Sequence, residues 1–337
     1  MIWPSLSESV RITSNELLKE RCGDMSKLWL VVDVSYLAYR GFHSLGLLQY
    51  AGNRTGVVFS VLRDIRMLMD EFATHDLVFA FDGQGYKRKQ LDPAYKAHRI
   101  DRKRTPEEEE TYRDIKRQIT DLRNVHLPDL GYRNVFWQDG YEADDVIASV
   151  CQGLHRSHSA VIVSADQDLY QLIGPNVTIY NPQKKEVFTE RLFREKFVGL
   201  SPSRWKEVKA VAGCKSDGVP GVFKVGEITA AKFLVDQTEA KPEPPPLDKG
   251  ARGKGRKVPV KEVKKTFQQI EEFMWTDRYK LNLQLTSLPF PGYEPKQLHS
   301  DPVDHKAWRK KCEELGIRSI KTIRTAPAFF GRSHAQV

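Results

Sequence analysis

The chain has 337 residues, 40% of them hydrophobic and 29% charged. That is enough for a sizeable core, and more than one small domain needs. No apolar run approaches a membrane span, and Pro4, Glu8 and Arg11 interrupt the start of the chain where a secretory leader would carry an apolar stretch; a cytoplasmic protein is expected. The formal charge of +9 favours a polyanionic partner. Cys22, Cys151, Cys214 and Cys312 show no metal-ligand spacing, which argues against zinc and for free thiols.

Residues 1–26 read as a polar N-terminal extension. Short apolar runs, rich in β-branched and aromatic residues, follow at Leu28–Val32, Leu77–Phe81 and Ala160–Val163, the pattern of strands buried on both faces. A fourth strand is expected through Val135–Trp137. Helical spacing from Val57 to Phe72 separates the first two strands, and strands alternating with helices predict an α/β parallel sheet. From Gln84 to Asn124 the chain is crowded with charge and reads as a long solvated excursion from that sheet. Past Pro202, a helix over Trp205–Ala212 leads through a Gly/Pro-punctuated turn to a second helix around Ala230–Leu234. In residues 241–265 nine basic residues face three acidic ones, the composition of a basic linker or insertion. A helical stretch over Phe267–Leu285 is expected next, and the tail beyond Pro289 carries little signal.

Each of the three clearest strands runs straight into an aspartate: Asp33, Asp82 and Asp166. In a parallel sheet all strand C-termini share one edge, where ligands bind. Glu142, Asp144 and Asp145 open a helix, where carboxylates are favoured, and Asp168 joins the same rim. Taken singly, such an aspartate is an ordinary turn or cap residue. So many like charges on one rim call instead for hard divalent cations bound through oxygen. Two such ions can stabilise the attacking and leaving oxygens of a phosphodiester displacement. Between the two later helices, Ser216–Gly226 forms a glycine-rich hairpin whose backbone N–H groups can face phosphate without reading bases. Tyr95-Lys96-Ala97-His98-Arg99 sets two cations beside an aromatic, a pattern suited to phosphate contact and base stacking.

These motifs, in this order from about Leu28 to Leu288, resemble the flap endonuclease and 5′–3′ exonuclease family, which includes bacteriophage 5′-nucleases and the nuclease domain of bacterial DNA polymerase I. The resemblance is carried by Val32-Asp33-Val34-Ser35-Tyr36 with Arg40, Phe81-Asp82-Gly83, Tyr95-Lys96 with Arg99, Glu142-Ala143-Asp144-Asp145, Ser164 to Asp168, Ser216-Asp217 with Pro220-Gly221-Val222, and Asn282 to Leu285. The phage enzymes are the nearest type. It implies a PIN-like nuclease domain over residues 27–198, with a helical arch at about 85–125. A helix-three-turn-helix DNA-binding module would follow over 199–290, interrupted by the basic insertion at about 241–265, and then a tail over 291–337.

The resemblance also implies roles. Asp33, Asp82, Glu142, Asp144 and Asp145 would surround a first Mg2+, and Asp166, Asp168 and Asp217 a second, with Mn2+ able to substitute and K+ at the hairpin. Lys96, Arg99 and Asp145 would be catalytic. Tyr36, Arg40, Lys89, Tyr95, Lys96, Arg99, Gly221, Lys224 and Gly226 would contact DNA. The implied activity is that of a monomeric 5′–3′ exonuclease and flap endonuclease. It would act on DNA 5′ ends and flaps, and on RNA–DNA hybrids during primer removal, by in-line hydrolysis that leaves a 5′-phosphate and a 3′-hydroxyl in replication or recombination. The alternative is a non-cleaving structure-specific DNA-binding protein. On this reading Asp145→Asn keeps binding and abolishes cutting. The chain departs from the family at Cys214, where an aspartate is common and a thiol is a poor magnesium ligand, and at Lys224, where glycine is usual. A weakened second metal site and an altered hairpin are therefore expected.

Overall fold

The computed structural model describes residues 27–46, 48–99, 104–237, 260–301 and 303–320, with side chains of the last helical domain from 264 onward. The expected extension 1–26 and most of the basic insertion lie outside the described residues.

The chain forms β1 (Lys27–Asp33), a separate hairpin of β2 (Gln49–Tyr50) and β3 (Asn53–Arg54), then β4 (Leu77–Ala80), β5 (Val135–Phe136), β6 (His158–Val163), β7 (Val177–Asn181) and β8 (Glu186–Phe188). Among the described residues, all but the hairpin join one sheet in the order β5-β4-β1-β6-β7-β8, parallel except for the β7–β8 pair. The four expected strands are all present; β7, buried but with its apolar run broken by Thr178 and Asn181, and the short, half-exposed β8 were not foreseen.

Alternation across the strands builds two core layers. Leu30, Val32 and Phe79 face α1 (Val34–Leu45), α2 (Gly56–Phe72) and α4 (Pro106–Asp121), while Trp29, Val31, Val78 and Ala80 face the other side. There they meet α5 (Ala143–Gly153), α6 (Glu190–Lys196), α7 (Trp205–Ala212), α8 (Glu227–Asp236), α9 (Val260–Met274) and α10 (Asp277–Thr286). Burial on both faces is why these strands read as continuous apolar runs rather than alternating ones.

The charged excursion leaves β4 through α3 (Tyr86–Leu91) and returns along α4, which starts at a capping box of Thr105 and Glu108 with Pro106 in its first turn. The buried side chain of Gln118 accepts from the backbone of Val57 and Val58 at 3.1 and 3.3 Å, pinning α4 to the uncapped start of α2. A π-helical turn, Leu122–His126, ends this limb.

Two sequence expectations change. The single helix over Phe267–Leu285 is two helices, because Thr276 breaks it and caps α10 by accepting from the Tyr279 backbone. The tail is not featureless: Tyr141 donates to the Pro291 carbonyl, Asn134 exchanges hydrogen bonds with His299, and α11 (His305–Glu314) buries Trp308 against the first core layer. Residues 291–301 thus cover the edge next to β5, which the sheet would otherwise leave open. Among the described residues, no helix is long and apolar enough to cross a membrane.

Candidate active site

Register aligns the acidic ends of the strands. Asp33 pairs in register with Ala80, two residues short of Asp82, and Val32 with Val163, three short of Asp166. Asp33, Asp82, Glu142, Asp144, Asp166 and Asp217 therefore line one open cavity of about 720 Å³ at the C-terminal edge of the sheet.

Local structure holds each carboxylate. Asp33 caps α1, accepting from the Tyr36 backbone at 2.9 Å and from the Ser164 hydroxyl at 3.0 Å. Asp82 accepts from the Ser35 hydroxyl at 2.6 Å and from the Ala143 backbone at 3.0 Å, which ties β4 to the start of α5. Asp166 accepts from the Asp168 backbone at 2.8 Å. Burial, reinforced by the neighbouring Asp82 and Asp166, pushes Asp33 up to about 7. Burial followed by Asp166, Asp33 and Glu142 raises Asp144 well above the ordinary carboxylate range, and burial followed by Asp168 raises Asp166. Burial works in the same direction on Glu142, but Lys96 and Arg88 more than offset it and hold that group below the ordinary range.

Two cations reach in from the excursion. Lys96 Nζ donates to Glu142 at 2.6 Å and lies 3.8 Å from Asp217, and Arg99 donates to Asp217 at 2.9 Å. Lys96 adopts φ +54, and its backbone N–H donates to the Asp217 carbonyl at 2.7 Å, so the helical module and the excursion lock together here. Tyr36 and Arg40 of α1 line the same cavity. Tyr39, His43 and Gln183, which the sequence did not single out, also line it, as does Ser35, named there only as part of the Asp33 motif.

Asp145 does not join the cluster. It is fully buried, makes a two-pronged ion pair with the buried Arg88 at 2.7 and 2.7 Å, and also accepts from the backbone of Glu142 and Phe290. Its oxygens face Arg88 and these backbone groups rather than the cavity, an arrangement that points to a structural role in place of the expected catalytic and metal-binding ones. Tyr95 is likewise corrected. It is buried and its hydroxyl donates to Glu142 at 3.0 Å, so it cannot stack on a base. Lys89 lies half-buried on α3, outside the cavity.

In the hairpin, a side chain on Gly221 would sit 2.2 Å from the Ala212 backbone, so this glycine serves close packing of the hairpin on α7. Lys224 adopts the left-handed conformation, φ +61, that glycine would take with less strain. The hairpin keeps its turn and gains an exposed ammonium beside Phe223, which is 81% exposed. Gly226 is exposed and opens α8 without a side-chain cap, leaving backbone N–H groups free to face an anion.

The cavity's carboxylates form a donor set suited to divalent ions. Asp33, Asp82, Glu142, Asp144 and Asp166 offer hard oxygens around a cavity roomy enough for a hydrated cation, and magnesium keeps several waters. This set fits. The other set fits only in part. Among the described residues, Asp168, Cys214 and Asp217 are the one trio of candidate ligands whose donor atoms all lie within 4.8 Å of one another. Yet Lys209 already pairs with Asp168 at 2.8 Å, Arg99 with Asp217, and the Cys214 thiol, raised by burial, lies 3.0 Å from the Ser216 hydroxyl.

Comparison with known proteins decides the family. The profile described as "5'-3' exonuclease, N-terminal resolvase-like domain" matches residues 28–198. The chain belongs to this 5′–3′ exonuclease family. A 5′–3′ exonuclease of Aquifex aeolicus is 31% identical over 210 residues, covering 62% of this chain and 69% of that protein. The thermostable DNA polymerase I of Thermus thermophilus is 33% identical over 207 residues, 61% of this chain but 23% of the polymerase. The chain thus spans under a quarter of the length of such polymerases. Among solved structures, the 5′-exonuclease of bacteriophage T5 with bound zinc superposes with a TM-score of 0.59 at 20% identity, covering 78% of this chain and 90% of the phage chain. A T5 flap endonuclease complex with DNA and metal ions gives 0.57 at 19% identity, covering 78% and 89%. These likenesses place the fold in the PIN-like nuclease class. The family is one of nucleases, and the two T5 structures hold divalent zinc and metal ions respectively.

Proposed function

We propose that this chain is a Mg2+-dependent 5′-nuclease that hydrolyses DNA at 5′ ends and flaps, working as a monomer in the cytoplasm during replication or recombination. The observation that carries this is the cavity where strand-end carboxylates Asp33, Asp82 and Asp166 meet Lys96 and Arg99 from the excursion. Bound divalent ions would supply charge neutralisation and an activated water for in-line displacement. Asp33, Asp82, Glu142, Asp144 and Asp166 would hold them. Lys96 and Arg99 would exchange Glu142 and Asp217 for the scissile phosphate as the ions enter, stabilising the charge that develops on it. Tyr36 and Arg40 border the same space and would position the 5′-terminal nucleotide. The hairpin around Gly226, with the ammonium of Lys224 and a K+ ion, would grip duplex backbone, so salt should weaken binding steeply.

Cleavage mapping in Mg2+ and in Mn2+ on 5′-flap, nicked, blunt and RNA–DNA hybrid substrates tests the reading. Products with 5′-phosphates from flapped or recessed ends are expected. Binding without any product would establish the alternative of a non-cleaving DNA-binding protein, which the pairing of Lys209 with Asp168 and the thiol at Cys214 favour. The same residues support weak occupancy of a second metal site. Isothermal titration is expected to show one tight Mg2+ site, and Cys214→Asp to strengthen the second by on the order of tenfold. Two equally tight sites in the unaltered protein would overturn this.

A further inference from the structure

Segments 81–87 and 136–142 run together outward from the cleft. Phe81 donates to the Phe136 carbonyl at 2.9 Å, Gly83 to Tyr141 at 3.0 Å and Lys87 to Gly140 at 3.2 Å. The strip they make carries the cleft carboxylates Asp82 and Glu142 and, beside them, two aromatics that the site does not use. Tyr86, the first residue of α3, is 40% exposed, and Trp137, just past β5, is also 40% exposed. The Arg123 guanidinium stacks 4.4 Å from the centre of the Trp137 ring. Gly140, at φ +91, lets Tyr86 and Lys87 cross it, where a side chain would meet them at 3.2 and 3.0 Å.

Tyr86 stands at the foot of the outgoing limb of the excursion. Trp137 and Arg123 stand at the foot of the returning limb. Arg123 is carried by the π-helical turn Leu122–His126, an insertion that re-aims side chains and recurs at working surfaces. Exposed aromatic rings joined to a guanidinium are chemically suited to unpaired bases, which stack on any π-face while the cation meets phosphate. Duplex, with its bases already stacked, would gain little from them.

Resting on the 5′-nuclease reading above, we infer that Trp137, Arg123 and Tyr86 form a stacking platform for single-stranded nucleic acid, namely a 5′ flap entering or leaving the cleft between the two limbs. The strip that carries Tyr86 and Trp137 also carries Asp82 and Glu142 of the cleft, and the Arg123 cation complements the flap's phosphates.

The test is binding by fluorescence anisotropy, in Ca2+ to suppress cutting, on one duplex junction with and without a single-stranded 5′ flap about ten nucleotides long. Trp137→Ala is expected to weaken the flapped substrate roughly tenfold and to leave the unflapped one unchanged, with Trp137→Phe recovering most of the loss. Equal effects on both substrates, no effect on either, or no preference for the flap in the unaltered protein would each overturn the platform. Circular dichroism melts that match the unaltered protein keep a folding defect from mimicking the result. The nuclease reading fails separately: a protein that binds flaps through Trp137 and releases no product loses that reading but keeps the platform.

Discussion

Asp145→Asn is expected to destabilise the protein by about 3–5 kcal/mol, because it removes the two-pronged counter-charge of the buried Arg88 guanidinium and leaves it only the more distant Glu142 at 3.6 Å. Arg88 is 3% exposed and Asp145 is not exposed at all, and their two 2.7 Å bonds are the only full carboxylate partnership Arg88 has. The pair also reaches across elements. Arg88 on α3 donates to the Leu285 carbonyl at 3.0 Å, and Asp145 on α5 accepts from the Phe290 backbone at 2.8 Å. Losing either charge therefore loosens the joint between the excursion, the sheet edge and the end of α10. Urea titration of Asp145→Asn and Arg88→Met should show midpoint shifts of the same sign and similar size. The double replacement Arg88→Met with Asp145→Leu should recover much of the loss, since apolar groups of similar volume carry no desolvation penalty. A variant Asp145→Asn that is fully stable and merely inactive would restore the role the sequence motif suggested and remove the structural one.

The second large effect is expected at Asp144. Asp144→Asn removes one like charge from between Asp33, Asp166 and Glu142. Cutting should fall on the order of a thousandfold, while the metal-free protein gains on the order of 1 kcal/mol. The pH dependence follows from the same crowding. In the folded protein Asp33 titrates at about 7, against 3.8 for an ordinary aspartate. Between those values the folded state binds more protons than the unfolded one, so metal-free stability should fall as pH rises through that window. Mg2+ binds the ionised form and should reverse the trend, adding about 2.7 kcal/mol at a hundredfold excess over its dissociation constant. Differential scanning calorimetry at about pH 5 and about pH 8, with and without Mg2+, reads both effects. A pH slope of metal-free melting that Asp33→Asn leaves unchanged would contradict the crowded-carboxylate account, as would an Asp144→Asn variant that still gains stability from Mg2+ like the unaltered protein.

The sequence by itself determined the sheet and most of the rim. Apolar runs at Leu28–Val32, Leu77–Phe81 and Ala160–Val163, rich in β-branched and aromatic residues, read as strands covered on both faces, and parallel pairing then brings Asp33, Asp82 and Asp166 to one edge whatever the loops do. Glu142 and Asp144 follow from the helix that opens beside them, and the hairpin follows from its glycines. These inferences succeed because strand period, helix spacing and turn chemistry are local properties. Tertiary structure alone decided the rest. Nothing local distinguishes Asp145 from Asp144, yet the roughly 100° between consecutive helical residues aims the first at Arg88 and the second at the cleft. Tyr95 reads as an exposed aromatic in a charged run until α10 and Glu142 bury it. Lys209 meets Asp168 across forty residues of chain, and the tail after Pro289 reveals its role only where Asn134 and Trp308 anchor it. In each case a side chain's work depends on which distant group removes it from water or answers its charge, and that is a property of packing rather than of sequence spacing.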